Sequence, residues 1–200
     1  GFEKFIQGRP YWEVPVMVQR LCGICPVSHH LAASKALDII VGARKLTPAA
    51  EKLRRLMHYG QMLQSHALHF FHLCSPDLLF GFDSDVTRRN IVGVAMAHPE
   101  TARRGVLLRK FGQEVIRVTA GKRVHGTGSV PGGVNKAVTV GERDELLKEV
   151  YRIVQWSRDA VHLIQKVHMQ DPGLYNSFGI FRSNFMSIVG NNGDLDFYHG

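Results

Sequence analysis

The chain has 200 residues, a net charge of +8 and 44% apolar residues, a composition typical of an ordinary soluble globular domain. Three cysteines are too few for a disulfide framework, so we expect a reducing, cytoplasmic compartment. No apolar run reaches the roughly 18 residues that a membrane-spanning helix needs. Lys and Arg are interspersed with Asp and Glu along predicted helices, which argues against nucleic acid and favours an acidic partner subunit.

The N-terminal segment, residues 1–18, is mixed in character and is punctuated by Pro10 and Pro15. Alternating apolar residues at positions 14, 16 and 18 permit a short strand. The residues that we expect to pack in this segment are Phe5, Ile6, Trp12, Val14, Val16 and Val18. Glu3, taken by itself, would be a solvated or salt-bridged surface carboxylate.

Two of the cysteines, Cys22 and Cys25, are separated by two residues, a spacing at which two thiolates can converge on one metal or on each other. Gly23 permits a tight turn with positive φ, and Pro26 suits the first turn of a following helix. We therefore expect the pair near the positive end of a helix dipole, which favours thiolates. The spacing alone leaves open half of a metal site, a redox dithiol and two structural thiols.

A long helix is predicted from Thr47, a good N-cap, along an apolar face that ends near Leu73. The helix carries three histidines spaced three residues apart: His66, His69 and His72. Each is turned about 60° from the previous one, so they fan out across a face. We expect buried, hydrogen-bonded side chains that line a site or a subunit contact, rather than zinc or nickel ligands. Cys74 is expected to be a small buried residue and supplies no second cysteine pair for a zinc site.

Further helices, the last with an apolar face that we expect to be core, are predicted over residues 86–97, 99–119 and 142–169. Between them, residues 121–133 form a glycine-rich loop that contains His125. Its spacing does not match the phosphate-binding pattern G-x-x-x-x-G-K-S/T, which disfavours nucleotide binding. Glycines also let the backbone approach a buried cofactor closely, and this is the favoured interpretation.

Several longer strings resemble the signatures of nickel–iron hydrogenase large subunits. The main one, R-L-C-G-I-C-P-V-S-H at residues 20–29, follows G-F-E-K-F at residues 1–5 and G-R-P at residues 8–10. Supporting strings are S-H-A-L-H-F-F at residues 65–71, P-D-L-L at residues 76–79, and His125 ahead of P-G-G at residues 131–133. The wording C-G-I-C-P-V-S-H-H-L-A-A-S-K-A is most similar to the soluble bidirectional, NAD-linked branch, and the resemblance covers essentially all 200 residues.

The resemblance implies a mostly α fold with minor β, the multihelical large-subunit fold, and it implies roles for individual residues. Cys22 would be a terminal nickel ligand, Cys25 would bridge nickel and iron, and His29 would donate to the bridging sulfur. Glu3 would bind magnesium, for which a carboxylate oxygen is a suitable donor. Arg20 would be a charge partner of the thiolates. The loop histidine would lie near the active site.

The implied activity is the reversible splitting of H₂ at a nickel–iron centre whose iron carries carbon monoxide and cyanide. Electrons would pass through iron–sulfur clusters in a small subunit, and through flavin-containing diaphorase subunits, to NAD. The family's second cysteine pair, in a D-P-C-x-x-C-x-x-H string, is absent from the sequence. We therefore expect residues 1–200 to be a partial large-subunit domain that alone neither holds nickel stably nor turns over hydrogen.

Two other functions stay open under this resemblance. The quinone-site subunit of respiratory complex I is related and metal-free, but its members lack the cysteine ligands that Cys22 and Cys25 would provide. A regulatory hydrogen sensor keeps the metal site and differs mainly in its partners.

Overall fold

The computed structural model describes residues 1–199 as a set of helices with one small hairpin. The helices are α1 (Phe2–Ile6), α2 (Val14–Met17), α3 (Pro26–Ile40), α4 (Pro48–Leu68), α5 (Ser75–Phe80), α6 (Ile91–Ala97), α7 (Pro99–Ala120), α8 (Val140–Gln170) and α9 (Pro172–Ser177). The strands β1 (Ser129–Val130) and β2 (Gly133–Val134) pair antiparallel, with Ser129 opposite Val134. Short 3₁₀ segments cover Tyr11–Glu13 and Val18–Leu21, and α4 continues as a π-helical stretch, His69–Cys74.

Side-chain caps explain where two of the long helices begin. The Thr47 hydroxyl oxygen accepts a hydrogen bond from the Ala50 N–H at the start of α4. At the start of α8, the Thr139 hydroxyl oxygen accepts from the Glu142 N–H, and the Glu142 carboxylate accepts from the Thr139 N–H. This reciprocal pair is a capping box. The long helices predicted near residues 47–73, 99–119 and 142–169 are confirmed to within a few residues.

Two predicted elements differ from the structure. Residues 14–18, where alternation permitted a strand, are helical, because Pro15 occupies a first helical turn and three alternating residues are too few to specify a strand. The helix predicted from residue 86 begins only at Ile91. The Asn90 side chain accepts hydrogen bonds from two first-turn N–H groups of α6 and therefore defines that helix start.

The crossing of α4 and α7 forms the core. Gly60 and Gly112 lie at the crossing, where a Cβ atom on Gly112 would stand 2.6 Å from the Gly60 carbonyl oxygen. Around them, Met57, Leu108 and Ile116 are 0%, 2% and 2% exposed. Helix α3, which follows the cysteine motif, also packs against α4. Helix α4 therefore supports both α3 and α7.

A buried ion pair joins α3, α4 and the hairpin. Arg54 donates to both carboxylate oxygens of Asp38, over 2.6 and 3.1 Å, and to the carbonyl oxygens of Val130 and Gly133. Asp38 also accepts a hydrogen bond from the Gly132 N–H over 2.7 Å. The Arg54 side chain is fully buried. These bonds fix the hairpin against the two helices. Because the hairpin begins within the glycine-rich loop, residues 121–133, they also fix the C-terminal end of that loop.

Two apolar surfaces that were predicted to pack are exposed in this chain. In α8, Ile153 and Val167 are buried. Other apolar residues of that face are exposed, among them Val150, Val154, Val161 and Ile164. At the N-terminus, Phe5 and Trp12 are also exposed. Periodicity shows that a face is apolar but cannot show what covers it, so the prediction of core was wrong here. Within residues 1–199, no helix has the length and apolar character to cross a membrane.

Candidate metal centre

The cysteine pair lies in a turn between the second 3₁₀ segment and α3. Cys22 follows the segment in extended conformation, and Cys25 is the N-cap of α3, directly before Pro26. The Cys25 N–H donates a hydrogen bond to Cys22 Sγ over 3.2 Å. Pro26 therefore occupies the first turn and the sulfurs lie at the positive end of the helix, as predicted. Gly23 lacks the predicted positive φ, and a Cβ atom there would meet nothing within 4 Å.

Three potential metal-binding groups converge at this turn. The sulfurs of Cys22 and Cys25 and a ring nitrogen of His29 all lie within 4.8 Å of one another. His29 comes four residues after Cys25, so one helical turn carries its Nε2 to 3.5 Å from Cys25 Sγ. Among the residues that the structure describes, no other His, Cys, Asp or Glu trio is grouped this closely. The structure thus brings together the three residues that were predicted to form the centre.

The two thiols have pKa values that are shifted in opposite directions. Burial, followed by the adjacent Cys22 sulfur, raises the pKa of Cys25 to about 11. The hydrogen bond from Cys25 lowers the pKa of Cys22. Two neighbouring thiolates repel each other, and a bound cation would relieve this repulsion and favour ionisation of both thiols near neutral pH. The two cysteine sulfurs are soft donors, which suit nickel or low-spin iron, and they fit one of the two cysteine pairs that the resemblance implies.

Two glutamines that no motif singled out hold the cysteine turn from the opposite side. Gln61 and Gln64, on α4, both donate from Nε2 to the Ile24 carbonyl oxygen, over 2.8 and 2.5 Å. Their side chains are almost fully buried, at 2% and 4% exposed. The sequence did contain a signal for these residues: Gln61 and Gln64 share the face of α4 that carries Met57, and buried side-chain amides need polar partners. The sequence pattern did not reveal which backbone group that partner is.

His30 joins the segment before the cysteines to the hairpin. Its ring is 1% exposed, and Nε2 accepts a hydrogen bond from the Ser129 N–H over 3.0 Å. Nδ1 lies 2.8 Å from the Pro15 carbonyl oxygen and 3.0 Å from the Gln19 side-chain amide. Since Nε2 accepts the hydrogen bond from the Ser129 N–H, the neutral ring carries its proton on Nδ1. The Nδ1–H group then donates a hydrogen bond to the Pro15 carbonyl oxygen. This residue was not predicted as part of the site, since its partners are distant in sequence.

The loop histidine and Glu3 were also predicted near the site. His125 is half-buried and has a φ of +53°, a backbone region that few residues other than glycine adopt. Burial, followed by the charge of Arg20, lowers the pKa of His125. Glu3 is on α1 with an exposed side chain, outside the three-residue group. Its role as a magnesium ligand stays a prediction.

The histidines of α4 and its π-helical extension are less buried than expected. His66 is exposed, with Nδ1 2.8 Å from the Met62 carbonyl oxygen. His69 is exposed and contacts Cys74, with Nε2 3.3 Å from Sγ. His72 is half-buried. The prediction of burial was therefore wrong for His66 and His69, whereas His66 does line a cavity beside Cys25. Cys74 is only half-buried.

A cavity of about 360 Å³ opens beside Cys25. Ser28, His58 and Gln61 line it together with Cys25, and residues 195–197 of the C-terminal segment close another side. The Ser28 hydroxyl oxygen lies 3.3 Å from His58 Nε2. The Cys25 end of the pair therefore borders open volume, in which additional ligands of a metal centre can approach.

Comparison with known proteins places these features in a family. Residues 1–83 match the nickel-dependent hydrogenase family. The whole chain is 44% identical to the beta subunit of the NAD-reducing hydrogenase HoxS from Cupriavidus necator, of which it covers 43%. Over 99% of its length it is also 42% identical to one subunit of the vhu hydrogenase from Methanococcus voltae, of which it covers 47%.

A solved structure gives the same result for the fold. The crystal structure of an NAD⁺-reducing NiFe hydrogenase in the H₂-reduced state matches with a TM-score of 0.97 and 56% identity, over 100% of this chain and 44% of that one. The predicted fold, mostly α with minor β, is confirmed. The chain spans less than half the length of the curated relatives it matches. Its cysteine motif, its helical scaffold and these matches show that the chain belongs to the nickel-dependent hydrogenase family.

Proposed function

We propose that this chain supplies two of the four thiolates of a nickel–iron centre, in the large subunit of a hydrogenase that reversibly splits H₂. The observation that carries the proposal is the convergence of Cys22, Cys25 and His29 within 4.8 Å. When bound, the centre supplies a soft, redox-active metal at which H₂ can be cleaved heterolytically. The 44% identity to a NAD-reducing hydrogenase subunit supports NAD as the final electron acceptor.

Each site residue has a distinct task in this proposal. Cys22 and Cys25 would hold the centre, Cys22 as a ligand of nickel and Cys25 as a ligand of both nickel and iron. His29 donates from Nε2 to the Cys25 sulfur, which orients that sulfur and tempers its negative charge. Arg20 contributes a positive charge near the thiolates, and Glu3 offers a carboxylate for magnesium.

The rest of the centre comes from outside residues 1–200. Two thiolates cannot satisfy a two-metal site, so the proposal includes a second cysteine pair in the remainder of the protein, of which this chain is a partial domain. Iron in the centre carries carbon monoxide and cyanide. A small subunit with iron–sulfur clusters and flavin-containing diaphorase subunits are the proposed partners. Use of NAD supports a cytoplasmic location for the complex.

The test uses the full-length protein co-expressed with its partner subunits. We expect near-stoichiometric nickel, infrared bands of metal-bound carbon monoxide and cyanide, and H₂-dependent reduction of NAD⁺. Absence of nickel and of these bands would overturn the proposal and favour the metal-free quinone-site relative. A loaded protein that responds to H₂ without reducing NAD⁺ would instead be a hydrogen sensor. The isolated 200-residue chain is expected to bind no nickel tightly, because it offers only two thiolates.

A further inference from the structure

We propose that Gln61 and Gln64 are positioning residues that hold one peptide group so that its N–H points at the Cys22 sulfur. The peptide group is the one that joins Ile24 to Cys25. Its carbonyl oxygen accepts both glutamine amides, and its N–H donates to Cys22 Sγ over 3.2 Å. The inference deepens the proposed function, on which it rests in treating Cys22 as a metal ligand.

Planarity of the peptide group makes the two ends inseparable. In a trans peptide the C=O and N–H bonds lie in one plane and point in opposite directions, and twisting that plane is costly. Two donors from α4 fill both acceptor sites of the Ile24 carbonyl, so the direction of this bond is set by the helix. The direction of the Cys25 N–H bond is then fixed as well, and this bond points at Cys22 Sγ.

The orientation of the Gln61 amide shows that this contact is not the arrangement that stability alone would choose. A carbonyl can only accept, so the NH₂ end of Gln61 must face Ile24. The other end, Oε1, is then left buried without a hydrogen-bond partner among residues 1–199. A buried unpaired acceptor is unfavourable, and an apolar side chain of similar shape would avoid it. A function for the Ile24 contact explains why an amide is present.

The consequence for the sulfur is electronic. An N–H donor stabilises negative charge on a thiolate and withdraws electron density that the sulfur would otherwise give to a metal. Two hydrogen bonds at the carbonyl polarise the peptide and strengthen the N–H as a donor. Through one peptide, Gln61 and Gln64 therefore adjust Cys22 without touching it, and we expect the electronic state of the bound metal to respond when they are removed.

The experiment replaces the glutamines by methionine, which is similar in length and lacks the donor. Gln61→Met, Gln64→Met and the double variant are made in the full-length protein with its partners. Gln113→Met is the matched control, since this half-buried glutamine lies on α7 and takes no part in the hydrogen bonds described for the cysteine turn. Hydrogen–deuterium exchange of the Cys25 amide is measured by fragmentation mass spectrometry, and the nickel centre is followed by electron paramagnetic resonance.

We expect the Cys25 amide to exchange at least about tenfold faster in the double variant, with a smaller acceleration in each single one, because a released N–H loses its protection. The nickel signal should shift in all three variants, and in the single ones, where the Ile24 carbonyl oxygen keeps one donor, thermal stability should change little more than in the control. Unchanged exchange in Gln61→Met and Gln64→Met would overturn the role of the glutamines, and these single variants suffice if the double one fails to fold. Faster exchange with an unshifted nickel signal would overturn the electronic step.

The two measurements, amide exchange and the nickel resonance signal, test this inference separately from the function on which it rests. Amide exchange reports the geometry of the turn and is readable whether or not metal is bound. If the wild-type protein holds no nickel, the proposed function fails while the exchange arm still decides the role of Gln61 and Gln64. If the wild-type protein holds nickel and exchange does not change in the variants, the proposed function stands and this inference fails.

Discussion

Arg54 on α4 and Asp38 on α3 form a bidentate ion pair in which the arginine side chain is completely buried. The guanidinium also donates to two carbonyl oxygens of the hairpin segment. One side chain therefore joins two helices and the β1–β2 turn. Because its partners are all fixed protein groups, its removal leaves several buried polar atoms without compensation.

We expect Arg54→Met to destabilise the full-length protein by about 3–5 kcal/mol, since it leaves a buried carboxylate unpaired. The measurement is the loss of folded signal in chemical or thermal unfolding. The neighbouring Arg55→Met is the control, because Arg55 pairs with Glu51 at the surface and such i, i+4 pairs contribute less than about 1 kcal/mol. Equal effects of the two substitutions would contradict the buried network as the fixing element of the hairpin.

The helix crossing at Gly112 predicts sensitivity to a single methyl group. A Cβ atom would stand 2.6 Å from the Gly60 carbonyl oxygen and 2.7 Å from the Gln64 nitrogen, both backbone atoms. Gly112→Ala should therefore cost about 1–3 kcal/mol as α4 and α7 separate. Gly141→Ala is the control: its site in α8 has nothing within 4 Å, so a neutral or slightly stabilising effect is expected. The measurement is the Tm of each variant relative to wild type, and equal Tm values for Gly112→Ala and Gly141→Ala would contradict the tight crossing.

The cysteines should differ in their effect on nickel content. Cys22→Ser or Cys25→Ser removes a thiolate from the group of three, and we expect at least a tenfold loss of bound nickel in the full-length protein, because an alcohol is a poor soft ligand. Cys74→Ser should keep wild-type nickel, since Cys74 contacts His69 and is outside that group. Elemental analysis of the purified variants is the measurement. Nickel lost equally in all three would contradict the assignment.

His30 should be required for stability in a way that an exposed histidine is not. His30→Leu leaves the Ser129 N–H buried and unpaired, at a cost of about 1–3 kcal/mol, and leaves the Pro15 carbonyl oxygen with only the longer hydrogen bond from Gln19, 3.4 Å. His162→Leu, at an exposed position on α8, should stay within about 0.5 kcal/mol of wild type. Unfolding curves of the two variants provide the comparison, and a His30 effect as small as that of His162 would refute the bridge.

The capping box of α8 predicts an acid-sensitive helix start. A hydrogen bond from Lys136, followed by one from the Thr139 backbone, lowers the pKa of Glu142 to about 2. A lowered carboxyl pKa contributes stability that is complete above the ordinary value of about 4.3 and is lost as the pH falls toward 2. Glu142→Gln should therefore flatten the fall of Tm between those values. Glu145→Gln, outside the cap, should leave the slope unchanged.

The local features of the site could be predicted from the chain because they depend on spacing along it. Cys22 and Cys25 share one turn, and His29 lies one helical turn beyond Cys25, so their convergence needs only the geometry of a helix start. The same is true of the caps at Thr47 and Thr139, which mark where helices begin. The role of Glu3 stays a prediction, since nothing local ties it to the cysteines.

Contacts between distant segments could be known only from the folded chain. Ile24 meets Gln61 and Gln64 across 37 and 40 residues, and His30 meets Ser129 across 99. These pairings depend on how α3, α4 and the hairpin cross, and no periodicity encodes a crossing. The same limit explains the errors in burial on α8. Hydrophobic spacing determines which side of a helix is apolar, whereas the packing of helices against each other decides which of those sides leaves water.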